Sequence, residues 1–95
     1  MELTLNQILE QGIVAHNEGR LLEAELSYKK VIEIKLDYTL AHNNLGILLH
    51  ILGRFDEAEE SFKKAIKFRP DYVEAHNNLG NVKFKFSRFD EAEES

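Results

Sequence analysis

The sequence predicts an all-α protein built as a stack of antiparallel helix hairpins. Two observations favour this fold class: a segment of the chain repeats 34 residues later, and apolar residues within each copy recur at the spacing of an amphipathic helix. A third is that glycines stand between consecutive apolar stripes, where a left-handed residue can end one helix and let the next fold back. A chain of 95 residues has room for one domain, which we assign to 1–95.

The repeat is clearest in two blocks of sequence. Residues 41–46 recur at 75–80, and residues 54–61 recur unchanged at 88–95. Matches of this length at one fixed offset exceed what shared helix composition explains, so the unit is duplicated. A more diverged copy precedes both blocks in the same register. The register divides the chain into two complete repeats and a truncated third, which are 5–38, 39–72 and 73–95.

Each complete repeat is predicted to hold two helices. In the second repeat, one apolar stripe lies within residues 45–52 and another within residues 55–66. Gly53 separates these stripes, and Gly19 takes the same place in the first repeat. The first helix is expected to begin with a capping box at Thr4, whose partner three residues on is a glutamine.

One segment carries a local pattern that conflicts with its repeat. Residues 81–87 alternate polar and apolar side chains with period two, which is typical of a strand. The flanking repeat matches place the same residues in a helix. We follow the repeat register, because matches on both sides fix its phase.

These residues resemble the tetratricopeptide repeat family, whose 34-residue pattern places large, small and proline residues at fixed positions. The second repeat carries that pattern in His42, Leu45, Gly46, Leu49, Ala58, Phe62, Ala65 and Pro70. The resemblance implies a right-handed α-solenoid of about two and two-thirds repeats, in which the first helix of each hairpin lines a concave groove. The chain departs from the family pattern at Gln11, Leu36 and Lys83, where we expect weaker packing.

The candidate peptide-binding groove consists of the first-helix positions that packing does not use. In the second and third repeats these are Asn43, Asn44, Ile47, His50, Asn77, Asn78, Asn81, Phe84 and Lys85. Related candidates are Asn6, Leu9, Glu10, Ile13, His16, Asn17, Leu40 and Glu74. A side-chain amide can both donate a hydrogen bond to a peptide backbone and accept one from it. Asn44 and Asn78, at equivalent positions of successive repeats, therefore resemble the asparagine ladder of O-linked N-acetylglucosamine transferases. The alternative is that the Asn-Asn pair of each repeat belongs to the repeat consensus and faces solvent without binding a peptide.

Catalytic and metal chemistry find little support in the sequence. The chain has no cysteine and no Gly-rich phosphate loop or nucleophile motif. Its histidines occupy equivalent places on neighbouring repeats, about 10 Å apart, which is too far for shared metal ligation. The acidic runs 56–60 and 90–94 open helices, where negative charge complements the helix dipole. We predict no catalytic residue, no metal site and no cofactor.

The charge and the chain start limit partners and compartment. The formal net charge of -5 disfavours nucleic acid and anionic lipid. The acidic start and the lack of a long apolar stretch predict neither a secretory signal nor a membrane span, so we expect a cytoplasmic protein. Another tetratricopeptide subfamily holds C-terminal carboxylates with groove cations, but Leu9, Glu10 and Asn43 stand at those positions and Lys85 is the only groove cation expected.

The sequence therefore predicts a protein interaction scaffold that receives a peptide segment of a partner protein and is not itself an enzyme. One alternative is the substrate-presenting N-terminal part of a larger glycosyl- or sulfotransferase, which the reading frame after Ser95 would reveal. A second is a homo-oligomer that associates through its open C-terminal end, near Phe84, Phe86 and Phe89.

Overall fold

The computed structural model describes the backbone of residues 3–94 and the side chains of residues 3–85, and within that range it has helices and no strand. The helices are α1 (Leu5–Asn17), α2 (Leu21–Ile34), α3 (Thr39–Ile51), α4 (Phe55–Phe68) and α5 (Val73–Glu94). Each of α1–α2 and α3–α4 forms an antiparallel hairpin, α3 packs on α2, and α5 packs on α4 and α3. The all-α solenoid prediction is confirmed, and residues 81–87 are helical, so the strand-like alternation of this segment does not decide its structure. None of the helices in this range is long and apolar enough to cross a bilayer.

The ends of the first helices follow from local chemistry. The Thr4 side chain accepts a hydrogen bond from the Gln7 backbone N–H, and the Gln7 side chain accepts one from Thr4, which completes the expected capping box. Gly19 and Gly53 have φ angles of 81° and 79°. These angles lie in the left-handed region that glycine adopts without a steric penalty, so each hairpin turns where the sequence places its glycine.

Each complete hairpin closes around a glycine that faces an aromatic ring. A Cβ atom built on Gly12 would lie 2.7 Å from the Tyr28 ring, and one on Gly46 would lie 2.5 Å from the Phe62 ring. Both distances are below van der Waals contact, so only glycine lets the two helices approach this closely. Tyr28 and Phe62 are both fully buried, and they anchor the core of their own hairpins.

A histidine ties each of the helices α3 and α5 to the loop that precedes it. His42 Nε2 lies 2.7 Å from the Leu36 carbonyl oxygen, and His76 Nε2 lies 2.7 Å from the Pro70 carbonyl oxygen. The His42 ring also stacks on Phe68 with the ring centroids 5.9 Å apart. The structure buries His42 and exposes His76, although the two residues are equivalent in the repeat.

An ion-pair cluster joins the first two repeats. The largely buried Glu25 carboxylate on α2 contacts Lys29 Nζ at 2.8 Å and Arg54 Nη1 at 3.0 Å. Arg54 also bonds Glu57 on α4 through its Nε at 2.6 Å. The hydrogen bond from Lys29 is the main cause of a lowered pKa at Glu25, with Arg54 adding to it and burial opposing it. Arg54 therefore links α2 to the start of α4.

The third repeat differs from the first two because it is one continuous helix. Residues 88–95 repeat the sequence that opens α4, yet α5 runs on to Glu94 without a turn. Ser87 stands where Gly19 and Gly53 make their turns, and a side chain disfavours the left-handed backbone that such a turn needs. A Cβ on Gly80 would meet no atom of the described residues within 4 Å. The side chains of Phe86 and Phe89, named in the sequence predictions, lie outside the described residues.

Candidate groove on the first helices

One face of α3 leaves an unbroken stripe of residues accessible. Successive helical residues rotate by about 100°, so positions 40, 44, 47 and 51 fall within an arc of about 60°. Leu40 is 46% exposed and Ile51 is 59% exposed, while Asn44 and Ile47 are half-buried between them. The opposite face of α3 is buried in the core. We name these four residues the groove face.

The groove face lies between the other two first helices. Helix α3 contacts α1 on one side and α5 on the other. On α5, Asn77, Asn81 and Lys85 are exposed, and Phe84 is 60% exposed. These exposed side chains lie on the same helix as the half-buried Asn78.

Asn43 is a correction to the predicted groove. Its side chain is only 2% exposed, at the junction of α3 and α5. Asn78 Nδ2 donates a hydrogen bond to Asn43 Oδ1 at 3.1 Å, and Asn43 also hydrogen bonds the Tyr72 side chain. Because these internal bonds occupy the amide and the neighbouring helix covers it, Asn43 cannot contact a partner directly.

The first repeat contributes less than its sequence suggests. Leu9, a groove candidate, is 6% exposed and belongs to the hydrophobic core. Asn6 accepts a hydrogen bond from the Tyr38 hydroxyl at 2.5 Å, and His16 Nδ1 lies 3.1 Å from the Tyr28 hydroxyl. Glu10 and Asn17 are exposed, and Ile13 is half-buried. In this repeat the polar candidates Asn6 and His16 already have partners.

Two remaining features bear on the chemistry of the groove. His50 is half-buried and packs edge-on against the Phe55 ring, with the centroids 5.5 Å apart, so it is a packing residue with one accessible side. Across the described residues, no three His, Cys, Asp or Glu side chains are grouped as metal ligands. Lys85 is the single cation among the described groove candidates, with Glu10 and Glu74 as the acidic ones.

Sequence reasoning missed Ile51. This residue stands 34 positions after Asn17 and 34 before Lys85, both of which were assigned to the groove. The register alone could therefore have identified it. Its inclusion changes the character of the site, because Leu40, Ile47 and Ile51 form an aliphatic strip beside Asn44.

Two clefts lie away from the groove face, along α1 and α2. The clefts have volumes of about 610 Å³ and 510 Å³. Leu3, Gln11 and Ser27 line both of them, Val14 lines the first and Leu26 lines the second. In α3 and α5, the residues in register with Gln11 and Val14 are leucines and a valine packed against the preceding hairpin. These clefts therefore follow the stacking surface of the first hairpin, and they do not reach the groove face.

Comparisons with known proteins agree with this architecture. The family model described as a TPR repeat matches residues 48–85. No curated protein matches the chain in sequence. Solved structures match closely: the complex of the TPR2B domain of yeast Sti1 with pHsp70 superposes with a TM-score of 0.84 at 19% identity, covering 93% of this chain and 70% of the other.

Two further structures are similar. The first TPR domain of Spaghetti (RPAP3) bound to an HSP90 peptide has a TM-score of 0.84 at 17% identity, covering 88% of this chain and 67% of the other. A Thermobaculum terrenum O-GlcNAc transferase variant has a TM-score of 0.79 at 27% identity, covering 86% of this chain and 16% of that enzyme. The resemblance to the tetratricopeptide repeat family is thereby confirmed: the chain folds as a stack of tetratricopeptide repeat hairpins, and residues 48–85 carry the sequence pattern of the family.

Proposed function

We propose that this chain is a protein interaction module that holds a peptide segment of a partner along the groove face. The observation that carries the proposal is the aliphatic strip of Leu40, Ile47 and Ile51, which stays accessible on a helix whose other side is buried. An accessible apolar strip on a folded domain is a common feature of surfaces that bind other proteins. Two structures of similar fold are complexes with pHsp70 and with an HSP90 peptide, which supports a peptide partner.

The partner segment is proposed to be internal, with aliphatic side chains. Leu40, Ile47 and Ile51 would bury such side chains, and the amides of Asn44 and Asn78 would bond the backbone of the segment. A C-terminal carboxylate would need cations, whereas Lys85 is the only one at the described groove positions. We propose no catalysis by this chain, and we propose a cytoplasmic location because its 95 residues include no cysteine.

Selection and substitution together test this function. A phage library of random linear peptides is selected on the folded chain, and the affinity of the enriched peptide is then measured by fluorescence polarisation. Ile51→Asp is expected to weaken binding at least about tenfold, because it places a charge in the apolar strip. Leu22→Asp is the matched control, since Leu22 is 72% exposed on α2, away from the groove face.

Three further measurements define the outcome. Asn44→Ala and Asn78→Ala are expected to weaken binding without unfolding the chain, and amidation of the peptide C-terminus is expected to leave affinity unchanged. If Ile51→Asp and Leu22→Asp have equal effects, or if no peptide is enriched, the proposal is wrong.

A second candidate function rests on the likeness to the O-GlcNAc transferase. In this alternative, the repeats present a protein substrate to a glycosyltransferase domain of a larger protein. The match to the Thermobaculum terrenum enzyme covers 16% of that enzyme. The reading frame that follows Ser95 separates the two functions. An α/β domain there would favour the transferase, and further helical repeats would favour the scaffold.

A further inference from the structure

Asn43 is a buried polar residue at a position where an apolar one also fits. The first repeat carries Leu9 at the same position, 34 residues earlier, and Leu9 is part of the hydrophobic core. An amide that is taken out of water needs hydrogen bonds merely to recover the cost of its burial. Packing alone would therefore favour a leucine at position 43, so the amide there calls for a different explanation.

The hydrogen bonds of Asn43 fix the direction of a neighbouring groove side chain. Asn43 bonds the Tyr72 side chain and accepts a hydrogen bond from Asn78 Nδ2 at 3.1 Å. Tyr72 is itself buried, so its position is restricted by the core, and its bond to Asn43 restricts the Asn43 side chain in turn. One N–H of the Asn78 amide is thereby used, and its carbonyl oxygen accepts no hydrogen bond from the described residues.

Asn44 provides an internal contrast. It occupies in α3 the register position that Asn78 occupies in α5, and both are half-buried. Asn44 has no side-chain hydrogen bond within the described part of the chain. A fixed amide loses less conformational entropy on binding than a rotating one, so the two equivalent asparagines should not behave alike.

We propose that Asn43 is a positioning residue for ligand binding, which orients the Asn78 amide so that its carbonyl oxygen and second N–H meet the backbone of the bound peptide. This inference rests on the proposed function of the groove. It assigns to Asn43 a role in affinity that acts entirely through Asn78, and it assigns no such role to the position of Leu9.

The test compares Asn43→Leu with Asn78→Ala, using the peptide enriched by phage selection. Leucine is the residue that the first repeat buries at this position, so Asn43→Leu is expected to stay folded. It is expected to weaken peptide binding about fivefold, as Asn78→Ala does, because each variant removes the oriented amide. The double variant is expected to bind no more weakly than Asn78→Ala alone, whereas Asn43→Leu combined with Asn44→Ala should show independent, multiplying effects.

A second readout needs no peptide. In ¹H–¹⁵N spectra, the Asn78 side-chain amide is expected to exchange slowly with water in the original chain and faster in Asn43→Leu. If Asn43→Leu is unstable, Asn43→Ala provides the same comparison without a larger side chain.

The outcomes separate this inference from the proposed function. Full affinity of a folded Asn43→Leu, or effects of Asn43→Leu and Asn78→Ala that multiply, would overturn the positioning role. If Ile51→Asp still weakens binding at least about tenfold in that case, the groove function stands. If Ile51→Asp also has no effect, both proposals fall.

Discussion

The His42 ring donates a hydrogen bond from Nε2 to the Leu36 carbonyl oxygen at 2.7 Å, and this bond joins the second hairpin to the loop before it. Burial is the main cause of a lowered pKa at His42, with Lys64 nearby adding to it and the Leu36 bond opposing it. The folded chain therefore binds a proton at His42 less readily than the unfolded chain does. Stability should be complete above the ordinary histidine pKa of about 6.5 and should fall as the pH drops below it.

His42→Gln is predicted to flatten this pH dependence, because glutamine can donate to Leu36 without titrating. Chemical denaturation between about pH 7.5 and pH 5.5 measures the effect, whose slope cannot exceed about 1.4 kcal/mol per pH unit for one proton. His76→Gln is the control, since His76 makes the same type of bond from an exposed position. An unchanged pH dependence in His42→Gln would contradict the prediction.

Gly46→Ala is predicted to destabilise the chain by about 1–3 kcal/mol, because the new Cβ would lie 2.5 Å from the Phe62 ring. Gly80→Ala makes the same chemical change at a helical site where no atom of residues 3–85 lies within 4 Å of the new Cβ. It is predicted to stabilise the chain by about 0.5–1 kcal/mol, because alanine has the higher helix propensity. Urea denaturation of both variants tests the contrast, and effects of the same sign would refute it.

Glu25→Ala is predicted to lower the melting temperature more than Glu57→Ala. Glu25 is largely buried and links α2 to Arg54, whereas Glu57 is exposed and bonds Arg54 next to its own helix. Loss of Glu25 removes a bond between repeats, and loss of Glu57 removes one within a repeat. Thermal denaturation followed by circular dichroism gives the two shifts, and a larger shift for Glu57→Ala would count against this account.

Gly53→Ala is predicted to cost about 1–2 kcal/mol, because the φ of 79° at this position lies in the left-handed region. Within the described part of the chain nothing lies within 4 Å of a Cβ at this position, so backbone strain is the cause expected. Gly53→Asn is predicted to cost less, since asparagine tolerates this conformation better. Equal losses of stability for the two substitutions would argue for a steric cause instead.

The sequence predicted the helices and turns because local residues determine them. Gly19 and Gly53 mark the hairpin turns, and the capping box at Thr4 marks the first helix start. Gly53 and Ser87 differ for the same conformational reason. The sequence of residues 54–61 is repeated at 88–95, but it opens a new helix after Gly53 and continues an existing helix after Ser87. The register of the repeat does not show this difference. The residue at the turn position does, because glycine adopts the left-handed backbone freely and serine disfavours it.

The groove was less predictable because burial depends on the neighbouring helix. Asn43 and Leu9 share a register position, and both lie at the edge of the first-helix face, where a neighbour covers them. His42 and His76 are also equivalent in sequence, yet the Phe68 ring stacks on His42 only. Register gives the direction of a side chain on its own helix. It does not give what the adjacent helix brings against it.

The spacing of Asn44 and Asn78 on neighbouring first helices predicts a spacing of contact residues in the partner segment. Helices that pack together lie about 10 Å apart, and an extended chain advances about 3.3 Å per residue. A partner segment lying across α3 and α5 would thus meet equivalent groove positions with every third residue. Every third residue of such a segment should then tolerate fewer substitutions than the residues between. A partner sequence with this three-residue period would be a candidate for binding.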